Sequence, residues 1–182
     1  MRHLLTHHRF TRRAGSGLLA VAAVAGTATM LSAAPASAVS WHCSPKGSHT
    51  IDTANYSGPW PDNWKVTVQN CSARSGAYVY GKAVIRWDGP TFNNTHPNIF
   101  DGAKYRLVLK KSVTGTDPTV AKKDFNLEAK LETSANSGSY TTGTIKAKVN
   151  STKAYADGTL LLDWHQCCGG YKSWGFPASP KV

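Results

Sequence analysis

The chain has 182 residues, with 21 Lys and Arg against 10 Asp and Glu, a formal charge of +11. Its 41% hydrophobic and 17% charged residues exclude an acidic or mainly disordered chain and suffice for one packed core.

Residues 2–13 carry Arg2, Arg9, Arg12 and Arg13 and no acid, and an Ala-rich apolar run follows over 17–31. Pro35 and Ala36-Ser37-Ala38 come next. A basic start, a short apolar middle and an A-x-A end are the parts of a secretory signal, so cleavage is expected between Ala38 and Val39. The leader's length and composition resemble export signals of high-GC Gram-positive bacteria. Arg12-Arg13 is followed by Ala14-Gly15-Ser16 rather than bulky apolar residues, which favours the general secretory route over the twin-arginine one. Residues 39–182 keep 17 bases and 10 acids, or +7. They contain no apolar run of about 18 residues, so no membrane span is expected after cleavage.

No repeat or linker divides residues 39–182, which read as a single domain with a loop-rich start over 39–63 and a Gly/Pro-rich tail over 169–182. From residue 64 the apolar positions alternate, the signal of half-buried strands. Trp64, Val66 and Val68 oppose Lys65, Thr67 and Gln69. Ala77, Val79, Ala83, Ile85 and Trp87 share one face, and Tyr78, Tyr80, Lys82, Val84 and Arg86 share the other. Gly89-Pro90 ends that strand, and 91–103 reads as a long loop. Tyr105, Leu107 and Leu109 alternate with Arg106, Val108 and Lys110, and Ile145, Ala147 and Val149 alternate with Lys146, Lys148 and Asn150. Leu160, Leu162 and Trp164 form a last inward set after an Asp157-Gly158 turn signal. Residues 117–134 contain good helix formers, but Phe125, Leu127, Ala129 and Leu131 share a face only on a strand, which is preferred. The pattern predicts an all-β antiparallel sandwich of about 6–8 strands, with a closed β-barrel as the alternative.

Cys43, Cys71, Cys167 and Cys168 are the four cysteines. An even number in an exported chain predicts two disulfides. Joining the adjacent pair is disfavoured, so Cys43 and Cys71 are expected to bridge to Cys167 and Cys168, stapling start to end. Such bridges would close loops of about 100 to 125 residues, worth roughly 4–5 kcal/mol each. His42-Cys43 and His165-Gln166-Cys167-Cys168 lack C-x₂-C spacing, so no metal and no cofactor are expected.

Templates for chemistry are weak. No G-x-S-x-G elbow, H-E-x-x-H helix or phosphate-binding loop is present. Asp163 and His165 at i, i+2 would share a strand face and could orient a general base, yet no nucleophile is identifiable and no catalytic residue is assigned. Asn55, Asn70, Asn93 and Asn150 each match the glycosylation sequon, which implies surface positions.

Residues 39–182 hold all six Trp and all seven Tyr. Trp64, Trp87 and Trp164 are expected in the core. Trp60, Tyr78, Tyr80, Arg86, Tyr171 and Trp174 are the candidate binding residues, because rigid amphipathic rings on loops and outer faces suit stacking on sugars or anchoring in a partner. The bases of residues 39–182 are 14 Lys and 3 Arg, a ratio unlike that of nucleic-acid readers. The expected role is that of a secreted, extracellular, monomeric, non-enzymatic protein. It would bind an extracellular glycan, cell-wall polymer or protein partner. A protease inhibitor or toxin-like domain presenting 44–63 or 91–103, and a small secreted hydrolase, are the alternatives.

Overall fold

A computed structural model describes residues 39–52, 63–89, 98–133, 137–150 and 152–182. Its strands are β1 (His42–Cys43), β2 (Gly47–Ile51), β3 (Trp64–Ser75), β4 (Tyr78–Asp88), β5 (Phe100–Lys111), β6 (Thr119–Asn126), β7 (Ser137–Thr141), β8 (Ile145–Lys148), β9 (Ala154–Trp164) and β10 (Lys172–Phe176), with one helical turn, α1 (Glu128–Leu131). One sheet runs β1-β3-β4-β7, with β2 also on β3 and β8 also on β4, and the other runs β10-β9-β5-β6. Every pairing is antiparallel. The architecture is a two-sheet sandwich, not a closed barrel.

The four long strands β3, β4, β5 and β9 carry the clearest alternation, and their inward sets meet in the core. Val66, Val68, Val79, Ile85, Leu107, Leu109, Leu160 and Leu162 are all buried, each worth about 1.5–3 kcal/mol of burial. Trp64, Trp87 and Trp164 join them, as their strand positions require. Ser75 pairs with Tyr78, so β3 and β4 are joined by two residues. Gly76 takes φ 55° there, the Gly-first pattern of a tight hairpin whose twist matches the strands.

The structure corrects several expectations. Ten strands form among the described residues, several of them short, against the six to eight expected. The loop-rich start contains β1 and β2, the tail contains β10, and 91–103 runs into β5 at Phe100. Each of these strands is short or broken by Gly, Ser or Pro, so periodicity hides it. Residues 117–134 are both elements in turn: β6 carries Phe125 inward, then Asn126 Oδ1 accepts the Glu128 N–H at 2.8 Å and starts α1. Leu127 and Leu131, four apart, are then buried together.

The disulfides are Cys43–Cys71 and Cys167–Cys168, so the expected head-to-tail staples do not form. β1 places Cys43 directly opposite Cys71 in the ladder, while the other two cysteines lie together in the turn after β9. The Cys43–Cys71 bridge spans 28 residues, a closure worth about 3.5 kcal/mol in the loop-entropy model.

Start and end are instead joined by hydrogen bonds. Asn70, Ser72 and Arg74 follow one another on the inward side of β3. Asn70 Nδ2 donates to Pro177 O at 3.0 Å, Ser72 Oγ to Pro180 O at 2.8 Å, and an Arg74 guanidinium nitrogen to Val182 O at 3.2 Å. Residues 177–182 also pair with β9: Ser179 N donates to Ala156 O at 2.8 Å and Val182 N to Ala154 O at 2.9 Å. Asn70 is fully buried, so its sequon is not a surface site. Its Oδ1 accepts the Tyr105 hydroxyl at 2.8 Å, and burial pushes that hydroxyl's pKa up.

Glu132 is another buried polar group, at 6% exposure. Its Oε1 accepts the N–H groups of Ile99 and Phe100, both at 2.9 Å. Burial outweighs these two bonds and raises its pKa. The folded state therefore holds this proton more tightly than the unfolded chain does. Stability is expected to fall as pH rises from about 4.3, the ordinary glutamate value, through the raised one. Glu132→Gln keeps the acceptor without the charge, so denaturant midpoints taken across that window should lose this component of the slope in the variant. An identical slope in both proteins would exclude Glu132 as its source.

Candidate functional site

β4 alternates strictly, so Tyr78, Tyr80, Lys82, Val84, Arg86 and Asp88 point away from the core. Neighbouring strands supply the rest of this outer face by register. Tyr80 lies between Ala73 and Lys146, and Tyr78 between Ser75 and Lys148. Lys82 lies beside Cys71, which β1 covers with Cys43. Arg86 sits between Thr67 and Ser139, and Lys65 faces Asp88 at the far end. From Tyr78 to Arg86 the row extends about 26 Å at ~3.3 Å per residue, the reach of an extended oligomer.

Aromatic rings and ammonium groups are interleaved here. Lys82 Nζ stands 4.2 Å from the centre of the Trp41 ring, and Lys146 Nζ 5.5 Å from that of Tyr78. Such contacts hold the cation in place while leaving N–H donors directed to solvent. Tyr78 is 42% exposed.

The charge balance separates the two outer faces. On the six-stranded sheet Lys65, Lys82, Arg86, Lys146 and Lys148 face outward, and Asp88 is the one carboxylate among the described outward residues of its strands. None of these cations is in an ion pair among the described residues. On the four-stranded sheet the outward cations of β5 are matched. Asp124 takes Arg106 at 2.8 Å and Lys104 at 3.4 Å, and Asp157 takes Lys110 at 2.7 Å. The Arg106 hydrogen bond holds the Asp124 carboxyl below its ordinary range.

Of the candidate binding residues, Tyr78, Tyr80 and Arg86 come together on this face. Trp60 and Ala38 lie outside the described residues, while Val39 is exposed. Tyr171 lies just before β10, exposed, with Lys104 Nζ 4.3 Å from its ring centre and its hydroxyl end over Gly102. Trp174 is corrected to a packing role. β10 pairs it with Leu160, and its ring lies edge-on to Trp164 at 5.9 Å against the core. The sequence missed Trp41, because only the β1–β3 pairing brings it over Lys82.

Asp163 and His165 do not share a strand face. His165 lies past the end of β9, and its Nδ1 meets Asp101 Oδ1 at 2.6 Å. A bulge at Asp101 in β5 makes that approach possible. Among the described residues no Ser, Thr or Cys side chain is hydrogen-bonded to His165, and Cys167 and Cys168 are joined to each other. Gln166, Cys168, Gly169 and Gly170 all have positive φ, from 57° to 86°, which turns the chain from β9 back into β10. No group of three or more His, Cys, Asp or Glu placed to hold a metal occurs among the described residues. The chain matches no protein-family model, and comparison with curated proteins and with solved structures finds no significant match.

Proposed function

We propose that this is a secreted, non-enzymatic binding protein that holds an anionic extracellular glycan or cell-wall polymer against the outer face of the six-stranded sheet. The observation that carries the reading is the contrast between the two faces. The outward cations Lys104, Arg106 and Lys110 of β5 are neutralised by carboxylates, whereas Lys82, Arg86, Lys146 and Lys148 surround Trp41, Tyr78 and Tyr80 without acidic partners among the described residues. Unmatched lysines raise the local potential and attract polyanions, while the rings supply apolar contact area at little entropy cost.

The test is co-sedimentation with insoluble polysaccharides and isolated cell walls, carboxylated or phosphorylated polymers being compared with neutral ones. Retention of wild type is expected on the anionic polymers and to weaken with salt over the Debye range. A Trp41→Ala, Tyr80→Ala double variant is expected to bind about tenfold or more weakly. His165→Ala should bind as wild type. Equal retention of wild type and the double variant, or equal retention on neutral and anionic polymers, would defeat the reading.

A further inference from the structure

Among the described residues β8 pairs only with β4, and β6 only with β5. The two sheets therefore meet along one side at unpaired edges. A cleft of about 400 Å³ lies there, lined by Lys111, Val120, Lys148, Val149, Asn150 and Thr152. That volume falls in the range of small-ligand clefts, about 300–1,000 Å³. Its polar lining residues are two lysines, an asparagine and a threonine.

The wall of this cleft is braced from behind by a third cation. Arg74 donates from Nη1 to Val149 O at 2.7 Å and to Asn150 O at 3.2 Å, and from Nη2 to Thr152 O at 2.6 Å. The guanidinium thus fixes the main chain that carries Asn150 and Thr152 and adds positive potential. The carboxylates of the adjoining strands are engaged elsewhere. Asp157 pairs with Lys110, and Asp117 accepts the Val113 N–H and the Tyr155 hydroxyl. These contacts with Asp117 and burial, burial the larger cause, push the Tyr155 hydroxyl up to about 12, so it stays neutral and adds no negative charge.

We infer that the cleft is a binding subsite for a tetrahedral oxyanion, a phosphate group carried on a sugar- or polyol-sized unit. Lysine can serve such a group, its ammonium acting as a compact point charge against the phosphate oxygens. Asn150 and Thr152 supply donors for the remaining oxygens, and Val120 and Val149 supply apolar wall for the carrier. Lys148 also stands beside Tyr78 on the outer face, so the subsite is continuous with that face. The inference extends the proposed function to phosphodiester-bearing polymers and rests on it only for the polymer arm below.

Inorganic phosphate alone is the first probe, titrated into the folded protein while amide and lysine signals are followed by NMR. A saturable shift confined to Lys111, Lys148, Asn150 and Thr152 is expected. In Lys111→Gln it should weaken by about tenfold, with an unchanged melting temperature showing that the fold is intact. Lys82→Gln should leave it unaltered. Shifts spread evenly over all lysines, or undiminished in Lys111→Gln, would overturn the subsite. The second arm uses poly(glycerol phosphate). Affinity lost with Lys111→Gln identifies the polymer as the source of the phosphate. Affinity kept, with inorganic phosphate binding still lost, identifies free phosphate. Lys111 lies on the four-stranded sheet, away from Trp41 and Tyr80, so failure of the subsite and failure of the outer face are read separately.

Discussion

Gly158→Ala is expected to destabilise the sandwich by about 4 kcal/mol, lowering the melting temperature by roughly 10 °C. A Cβ at residue 158 would fall onto the hydroxyl end of the Tyr105 ring. Tyr105 has no room to yield. It is fully buried, lies 6.3 Å from Phe176, and its hydroxyl is tied to Asn70. Moving the ring costs overpacking strain of about 1–3 kcal/mol and a buried hydrogen bond worth a similar amount. Thermal and denaturant unfolding measure the loss. A variant within about 1 kcal/mol of wild type would show that the ring does not lie over Gly158 as described.

Asn70→Ala is expected to cost about 3 kcal/mol by a different route. The substitution leaves both the Tyr105 hydroxyl and the Pro177 carbonyl without their partner, and stranded buried polar groups cost about 1–3 kcal/mol each. Tyr105→Phe removes one of them. The Asn70→Ala, Tyr105→Phe double variant should therefore lose less than the sum of the single losses, the sign of shared partners. Strict additivity of the three measured stabilities would mean that the two side chains do not interact.

The same node shows what was legible in the amino-acid pattern and what was not. Tyr105, Leu107 and Leu109 are inward because they alternate, and that local signal reveals β3, β4, β5, β8 and β9. Asp157-Gly158 has the chemistry of a turn, yet β9 runs straight through it. The glycine is there for Tyr105, which is 53 residues away in the chain and invisible to local reading. The cysteines fail for the same reason. Their pairing depends on a two-residue strand, β1, with no periodicity of its own. The candidate site divides likewise: Tyr78, Tyr80 and Arg86 follow from alternation along β4, whereas Trp41 and Lys111 need contacts between elements far apart in sequence. Trp174 reads as a loop residue because it sits in a Gly/Pro-rich tail, and only its pairing with β9 turns it towards Trp164.

The clamp on β3 also has a consequence in time. Asn70, Ser72 and Arg74 are synthesised more than a hundred residues before Pro177, Pro180 and Val182, which they grip. Their bonds to Pro177, Pro180 and Val182 form only once residues 177–182 have been made, so the early hairpin of β3 and β4 lacks these contacts until then. Contacts between residues more than a hundred positions apart are slow to form, as high contact order dictates.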